Sequence, residues 1–131
     1  MHHVVLNSVA DAESHAHGYD CVIDVRSPSE YAEDHLPGAI NLPVLDDAQR
    51  ARVGCIYKQD GPFLARKIGA SLVARNSATH IEGALAHFDK SWRPMVYCWR
   101  GGQRSAAFAT ILAQIGWRAG VITGGYVMRF P

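Results

Sequence analysis

Pro94-Met-Val-Tyr-Cys-Trp-Arg-Gly-Gly-Gln-Arg-Ser105 is the stretch on which the fold turns. Pro94 to Cys98 is a short apolar run that reads as a buried strand. Two glycines follow, and a helix is expected from Gln103 to Ile115, closed by Gly116. Strand, glycine loop and helix within so few residues form the repeating unit of an α/β sheet.

Outward from that unit the pattern continues. Asp20-Cys-Val-Ile-Asp-Val25 is a β-branched apolar run between Gly18 and Ser27-Pro28, and predicts another buried strand. Ser27, Pro28 and Glu30 then supply a helix start, with Ser27 as cap, Pro28 at the first helical position and Glu30 where a capping box needs it. Leu36-Pro37-Gly38 ends that helix near His35, and Ala39 to Leu42 predicts a strand before Pro43. Asp46-Asp47 start a helix through about Gln59, which Gly61-Pro62 breaks and restarts. Leu64, Ile68 and Leu72 form one apolar stripe on the restarted helix. A further helix is expected over roughly Ser77 to Asp89, with Ile81, Leu85 and Phe88 on one side, and a last strand over Gly120 to Thr123 before Gly124-Gly125. The fold class is α/β, with a mainly parallel central sheet flanked by helices. Ligands of such sheets sit outside the carboxyl ends of the strands, where Asp24-Val-Arg26 and Cys98-Trp-Arg100 both fall.

The 131 residues, 48% apolar and 19% charged, suit a single globular domain spanning 1–131. The net charge of +1 is a cancellation: residues 1–60 carry four basic and ten acidic side chains, residues 61–131 nine basic and two acidic. The positive half contains Cys98 and is expected to surround a site that receives anions. The N-terminal stretch lacks the basic-then-apolar pattern of a signal peptide, and no apolar run is long enough to span a membrane. Three cysteines without a C-x-x-C pair suggest neither a disulfide framework nor structural zinc, so the cytoplasm is the expected compartment. The histidines lack metal spacing and no metal site is expected.

Cys98 is the candidate nucleophile. Trp99, Arg100, Gly101, Gly102, Gln103, Arg104 and Ser105 make the candidate anion- or substrate-binding loop. Glycines let successive N–H groups converge on one centre, the following helix adds its positive end, and Arg100 and Arg104 add charge. Each favours thiolate over thiol. Ser105 is expected to hydrogen-bond in the first turn rather than act as a nucleophile. Cys21 and Cys55 are expected to pack in the core. Asp24 and Arg26 are expected as a supporting charge pair rather than as reacting groups. His35 is a possible shuttle, set against a plain helix-terminal role.

Val22-Ile-Asp-Val-Arg26, Glu30-Tyr31, His35-Leu-Pro-Gly-Ala-Ile-Asn-Leu-Pro43 and the Cys98 loop, with Gly124-Gly125 after it, resemble the motifs of a rhodanese domain. The loop Cys98 to Ser105, with Leu45-Asp-Asp, Arg52-Val-Gly54, Tyr57-Lys-Gln59, Gly61-Pro62 and Leu72-Val73, resembles more narrowly the tRNA 2-selenouridine synthase family and its helical insert. The resemblance implies a persulfide or selenosulfide on Cys98, no tightly bound cofactor, and selenophosphate or a sulfur donor as substrate. It implies exchange of 2-thiouridine for 2-selenouridine at a tRNA wobble position, with tRNA as a partner only in the context of a longer protein. The family's P-loop domain is absent from this chain, where no G-x-x-x-x-G-K-[ST] occurs. Arg66, Lys67 and Arg75 are candidates to meet tRNA phosphates, against the plainer reading of a solvated helix face. Two other functions stay open. Cys98 and Arg104 stand in the Cys-x5-Arg spacing of cysteine phosphatases and arsenate reductases, without a nearby Asp or Glu in sequence to serve as acid. A non-catalytic rhodanese module that binds a partner is the other, and the retained cysteine counts against it.

Overall fold

The computed structural model describes residues 2–6, 18–98 and 103–124. Its elements are β1 (His2–Leu6), β2 (Cys21–Asp24), α1 (Pro28–Glu33), β3 (Ile40–Asn41), α2 (Asp47–Asp60), α3 (Pro62–Glu82), β4 (Pro94–Tyr97), α4 (Gln103–Ile115) and β5 (Gly120–Gly124). The five strands form one sheet in the order β1-β5-β4-β2-β3, and every neighbouring pair is parallel. The register sets Asp24 beside Tyr97 and Tyr97 beside Ile122, so the carboxyl ends of the central strands finish together.

Both faces of the sheet are covered, and the two-residue period of the strands divides them. Ile23, Val25, Val96, Cys98 and Val121 turn to one side and pack with Val73, Phe108 and Leu112 from α3 and α4. Met95, Tyr97 and Ile122 turn to the other and pack with Leu36 and Ala39, with Tyr31 of α1 against them. Trp92 and Trp117 close the first core edge-on at 5.1 Å, and Phe88 stacks on Trp92 at 4.0 Å.

Several local readings hold. Pro28 opens α1, and the Glu30 carboxylate accepts from Ser27 N–H and Oγ at 3.0 Å each. Asp46 caps α2 by accepting from Gln49 N–H at 2.7 Å, while the Gln49 side chain accepts from Asp46 N–H at 3.0 Å. Gly61, at φ +101°, joins α2 to α3 in a conformation that side chains rarely adopt.

Others are corrected. The chain begins with a strand that the sequence did not announce, β1 on the sheet edge. No helix starts at Ser77: α3 runs unbroken through Glu82, and residues 83–87 are turns. Its fully buried positions are Ala65, Val73 and Ser77; of the expected stripe, Leu72 packs half-buried against the core and Ile68 is half-buried, whereas Leu64 is exposed. Cys55 is exposed rather than in the core, whereas Cys21 does pack half-buried against it, its thiol pushed up by burial and then by Asp20. No described helix is long and apolar enough to cross a membrane.

Candidate active site

Cys98 stands one residue beyond β4, 1% exposed. Its sulfur is met by the first turn of α4: Ser105 N–H donates to Sγ at 3.3 Å, and the Ser105 hydroxyl lies 3.3 Å from the same atom. A thiol gives its proton to that oxygen, whereas a thiolate accepts the hydroxyl proton instead. The N-terminal first turn of the thirteen-residue α4 thus meets the sulfur. Ser105 is fully buried and serves as the hydrogen-bonding residue expected of it. Trp99, Arg100, Gly101, Gly102, Gly125 and the residues after it lie outside the described residues. Gln103 opens α4 and is exposed.

Arg104 has an occupied fork. Its Nη1 donates to Glu30 Oε1 at 2.8 Å and its Nη2 to Glu30 Oε2 at 3.3 Å, across the carboxyl edge of the sheet. Arg50 of α2 approaches the same carboxylate, with Nε 3.5 Å from Oε1. Burial alone would push the Glu30 carboxyl up, but Arg104 and the Ser27 donors outweigh it and hold it at about 2. Burial likewise opposes the Arg104 charge. The Glu30 hydrogen bonds outweigh that, and the nearby Cys98 adds to them, so the guanidinium is raised. The charge halves therefore do not stand apart: Arg104 meets Glu30, and Arg93 meets Asp20 at 3.9 Å. Neither Glu30 nor Arg50 was foreseen as a site residue. Glu30 shows in sequence as a helix cap and as part of the Glu30-Tyr31 motif, and nothing in the order of residues pairs it with Arg104.

Asp24 and Arg26 lie behind the sheet end, with Tyr97. Asp24 is fully buried. Arg26 Nε lies 3.1 Å from both carboxylate oxygens, and Nη2 donates to Oδ2 at 2.8 Å. Arg26 N–H adds a bond to Oδ1 at 2.8 Å, and Tyr97 Oη donates to Oδ2 at 2.8 Å. Tyr97 Oη in turn accepts from Leu36 N–H at 2.9 Å. Burial and the adjacent Asp24 charge push the phenol up, so it stays a donor. Burial opposes the Arg26 charge, and Asp24 more than offsets it. Tyr97 and Cys98 are consecutive, and consecutive strand residues face opposite sides. The Asp24–Arg26 pair thus supports the strand that carries Cys98 from behind and does not share its face.

His35 stacks on Tyr31 at 3.8 Å, its Nδ1 2.8 Å from Tyr31 O, away from the sulfur's partners. Among the described residues no three His, Cys, Asp or Glu side chains gather as a metal site. Beside the start of α4 a groove of about 640 Å³ runs between α2, α3 and α4, with Val53, Tyr57, Ala65, Val73, Gln103 and Arg104 among its lining residues.

A model of the rhodanese-like domain matches residues 7–128. The chain is 41% identical over 106 residues to a tRNA 2-selenouridine synthase of Nitrosomonas europaea, covering 80% of this chain and 28% of that protein. A tRNA 2-selenouridine synthase of Cupriavidus necator is 41% identical over 110 residues, covering 80% and 29%. The chain thus spans under a third of the length of these curated relatives. Among solved structures, the N-terminal domain of a Clostridium difficile 630 protein provisionally described as ATP/GTP binding superposes with a TM-score of 0.68 at 33% identity. The match covers 86% of this chain and 89% of that one. A rhodanese-related protein of Thermoplasma volcanium shares the fold, with a TM-score of 0.55 at 19% identity, covering 95% and 86%.

Proposed function

The chain belongs to the rhodanese-like domain family, and from that premise we propose that it is a sulfur or selenium transferase domain whose carrier atom is Cys98 Sγ. The observation that carries this reading is the placement of that sulfur at the end of β4, held by Ser105 at the start of α4. A thiolate there attacks the outer sulfur of a donor such as thiosulfate. An S–S bond forms to Cys98, the donor's S–S bond breaks, and sulfite leaves with the electron pair. An acceptor nucleophile then takes the terminal sulfur, and the Cys98 thiolate returns. The helix end and Ser105 stabilise the anion before and after transfer.

The matches to tRNA 2-selenouridine synthases support a place for this domain in exchange of 2-thiouridine for 2-selenouridine at a tRNA wobble position. Selenophosphate or a sulfur compound would be the donor, with the cytoplasm as the setting. The similarity to an N-terminal domain of a protein described as ATP/GTP binding fits a rhodanese domain that precedes a nucleotide-binding one. In that setting tRNA would be met together with the further domain. The phosphatase reading has less support. Glu30 is the carboxyl group at Arg104, and with its proton lost above about 2 it is no general acid near neutrality. The binding-module reading leaves the cradled sulfur without a use.

The test is incubation with thiosulfate followed by mass spectrometry of Cys98-, Cys21- and Cys55-containing peptides. One added sulfur on Cys98, absent in Cys98→Ser, is the expected result. Sulfur on Cys55 alone, or aryl phosphate hydrolysis without any adduct, overturns the proposal.

A further inference from the structure

The transfer step leaves the groove beside the start of α4 without a use, yet the groove lies on the face of the sheet that carries Cys98. Leu45 and Val73 line it and share one core with Cys98. Gln103 and Arg104 line it from α4, and the next residue, Ser105, holds the sulfur. Its lining is largely aliphatic, but Tyr57 of α2 stands in it 57% exposed. Among the described residues no acidic side chain lines this groove, and Arg66, which does, forms no ion pair. A second hollow of about 500 Å³ adjoins the first, with Tyr57 and Arg104 lining both. Arg50 lines only the second, as does Asp47, which is tied to Ser29 Oγ at 2.6 Å. Glu30 occupies the Arg104 fork, so the cations open to a ligand are Arg66 in one hollow and the half-exposed Arg50 in the other.

An exposed aromatic ring above an aliphatic lining takes a flat heterocycle by its face. A cation in each of two adjoining hollows, with the ring shared between them, suits successive phosphates of one strand rather than a single headgroup. We propose that this groove receives an unstacked base of a single-stranded RNA segment, with Tyr57 as the stacking residue and Arg66 and Arg50 on the flanking phosphates. Its role as the seat of the acceptor strand rests on reading Cys98 as the reacting sulfur of a transfer to RNA. Of the three basic residues singled out on α3, Arg66 lines the groove, whereas Lys67 and Arg75 do not.

The experiment measures binding of this chain to a fluorescein-labelled oligouridylate and to an abasic ribose-phosphate oligomer of the same length, by anisotropy at several salt concentrations. The wild type is expected to bind the oligouridylate about tenfold more tightly, the order of factor that base–aromatic stacking contributes. Tyr57→Ala is expected to remove that about tenfold preference while leaving the abasic oligomer unaffected, and Tyr57→Phe is expected to keep it. Arg66→Gln should weaken both oligomers and lower the slope of log affinity against log salt by about 0.7, the share of one phosphate on a single strand. Equal binding of the two oligomers by the wild type overturns the proposal without recourse to any variant. An unchanged preference in Tyr57→Ala overturns it as well, and so does an equal loss in Tyr57→Phe. Octyl phosphate that binds through Tyr57 where the oligouridylate does not would mark a site for an aliphatic chain, which also overturns it. Thiosulfate labelling of Cys98 runs in parallel. Persulfide without base-dependent binding sinks the groove proposal alone, whereas base-dependent binding without persulfide upholds the groove and sinks the transfer reading.

Discussion

The Glu30 carboxylate makes stability at acid pH a direct readout of the Arg104 ion pair. In the folded chain its carboxyl is lowered from 4.5 to about 2. At about 1.4 kcal/mol per pKa unit, that difference contributes up to roughly 3 kcal/mol. The side chain is 16% exposed, so solvent screening discounts the figure only modestly. A carboxyl lowered on folding stabilises above its unfolded value. The contribution is therefore complete above pH 4.5 and is lost as pH falls towards about 2. The perturbation is Glu30→Gln, whose side-chain oxygen keeps an acceptor for the Ser27 donors while the charge is removed. The assay is urea unfolding by circular dichroism, in reductant, at several pH values between 2 and 7. The wild type is expected to exceed the variant by about 3 kcal/mol near pH 6, and the gap is expected to close near pH 2. Asp89 is also lowered, by hydrogen bonds from Ser91, but both proteins contain it and its share cancels; Asp47, lowered by Ser29, feels Glu30 only as its last and smallest cause. A gap that stays constant from pH 2 to 7 would refute the reasoning, because the loss would then owe nothing to ionisation.

Two further outcomes follow from buried polar groups. Tyr97→Phe removes the acceptor of Leu36 N–H and one donor to Asp24, while Arg26 still holds that carboxylate. A loss of about 2–4 kcal/mol is expected by urea unfolding, mostly from the orphaned amide, and a loss below about 0.5 would contradict it. Ser77 is fully buried in α3 and its hydroxyl has no hydrogen-bond partner among the described residues. Ser77→Ala should leave stability unchanged or raise it by about 1 kcal/mol in a thermal melt, and a clear loss would mean that the hydroxyl is satisfied.

What could be read from the residue order was what local chemistry decides. Pro28, the Asp46–Gln49 cap and Gly61 each settle a helix boundary within a few residues, and the apolar runs at Val22 and Val96 settle two central strands. The run from Asn76 through Ser77 misled, since both residue types commonly cap helices. Here Asn76 Nδ2 donates to Val44 O and Gln49 Oε1, each at 2.7 Å, and the helix passes straight through. That partner choice is tertiary. β1 was missed because five residues with two histidines carry a weak strand signal, and its pairing partner is β5. In the site, Cys98 and Ser105 were legible because seven positions of a strand–loop–helix unit bring them together. Glu30 on Arg104 and Tyr97 on Asp24 were not, since only the assembled sheet joins residues so far apart in sequence.

The all-parallel ladder has a consequence in time. Its edge pair joins His2 to Gly120, and its centre joins Cys21 to Pro94. On a ribosome adding about 5–20 residues per second, β1 waits on the order of ten seconds for the strand that pairs with it. β2 meanwhile has β3 close at hand but no β4, and the long helices α2 and α3 emerge before the sheet can close. Parallel pairing of this kind is slow because loop closure comes before its reward. The nascent chain therefore exposes its strand edges, and the sulfur emerges before α4 exists to cradle it. Synthesis is the interval in which that thiol is least guarded.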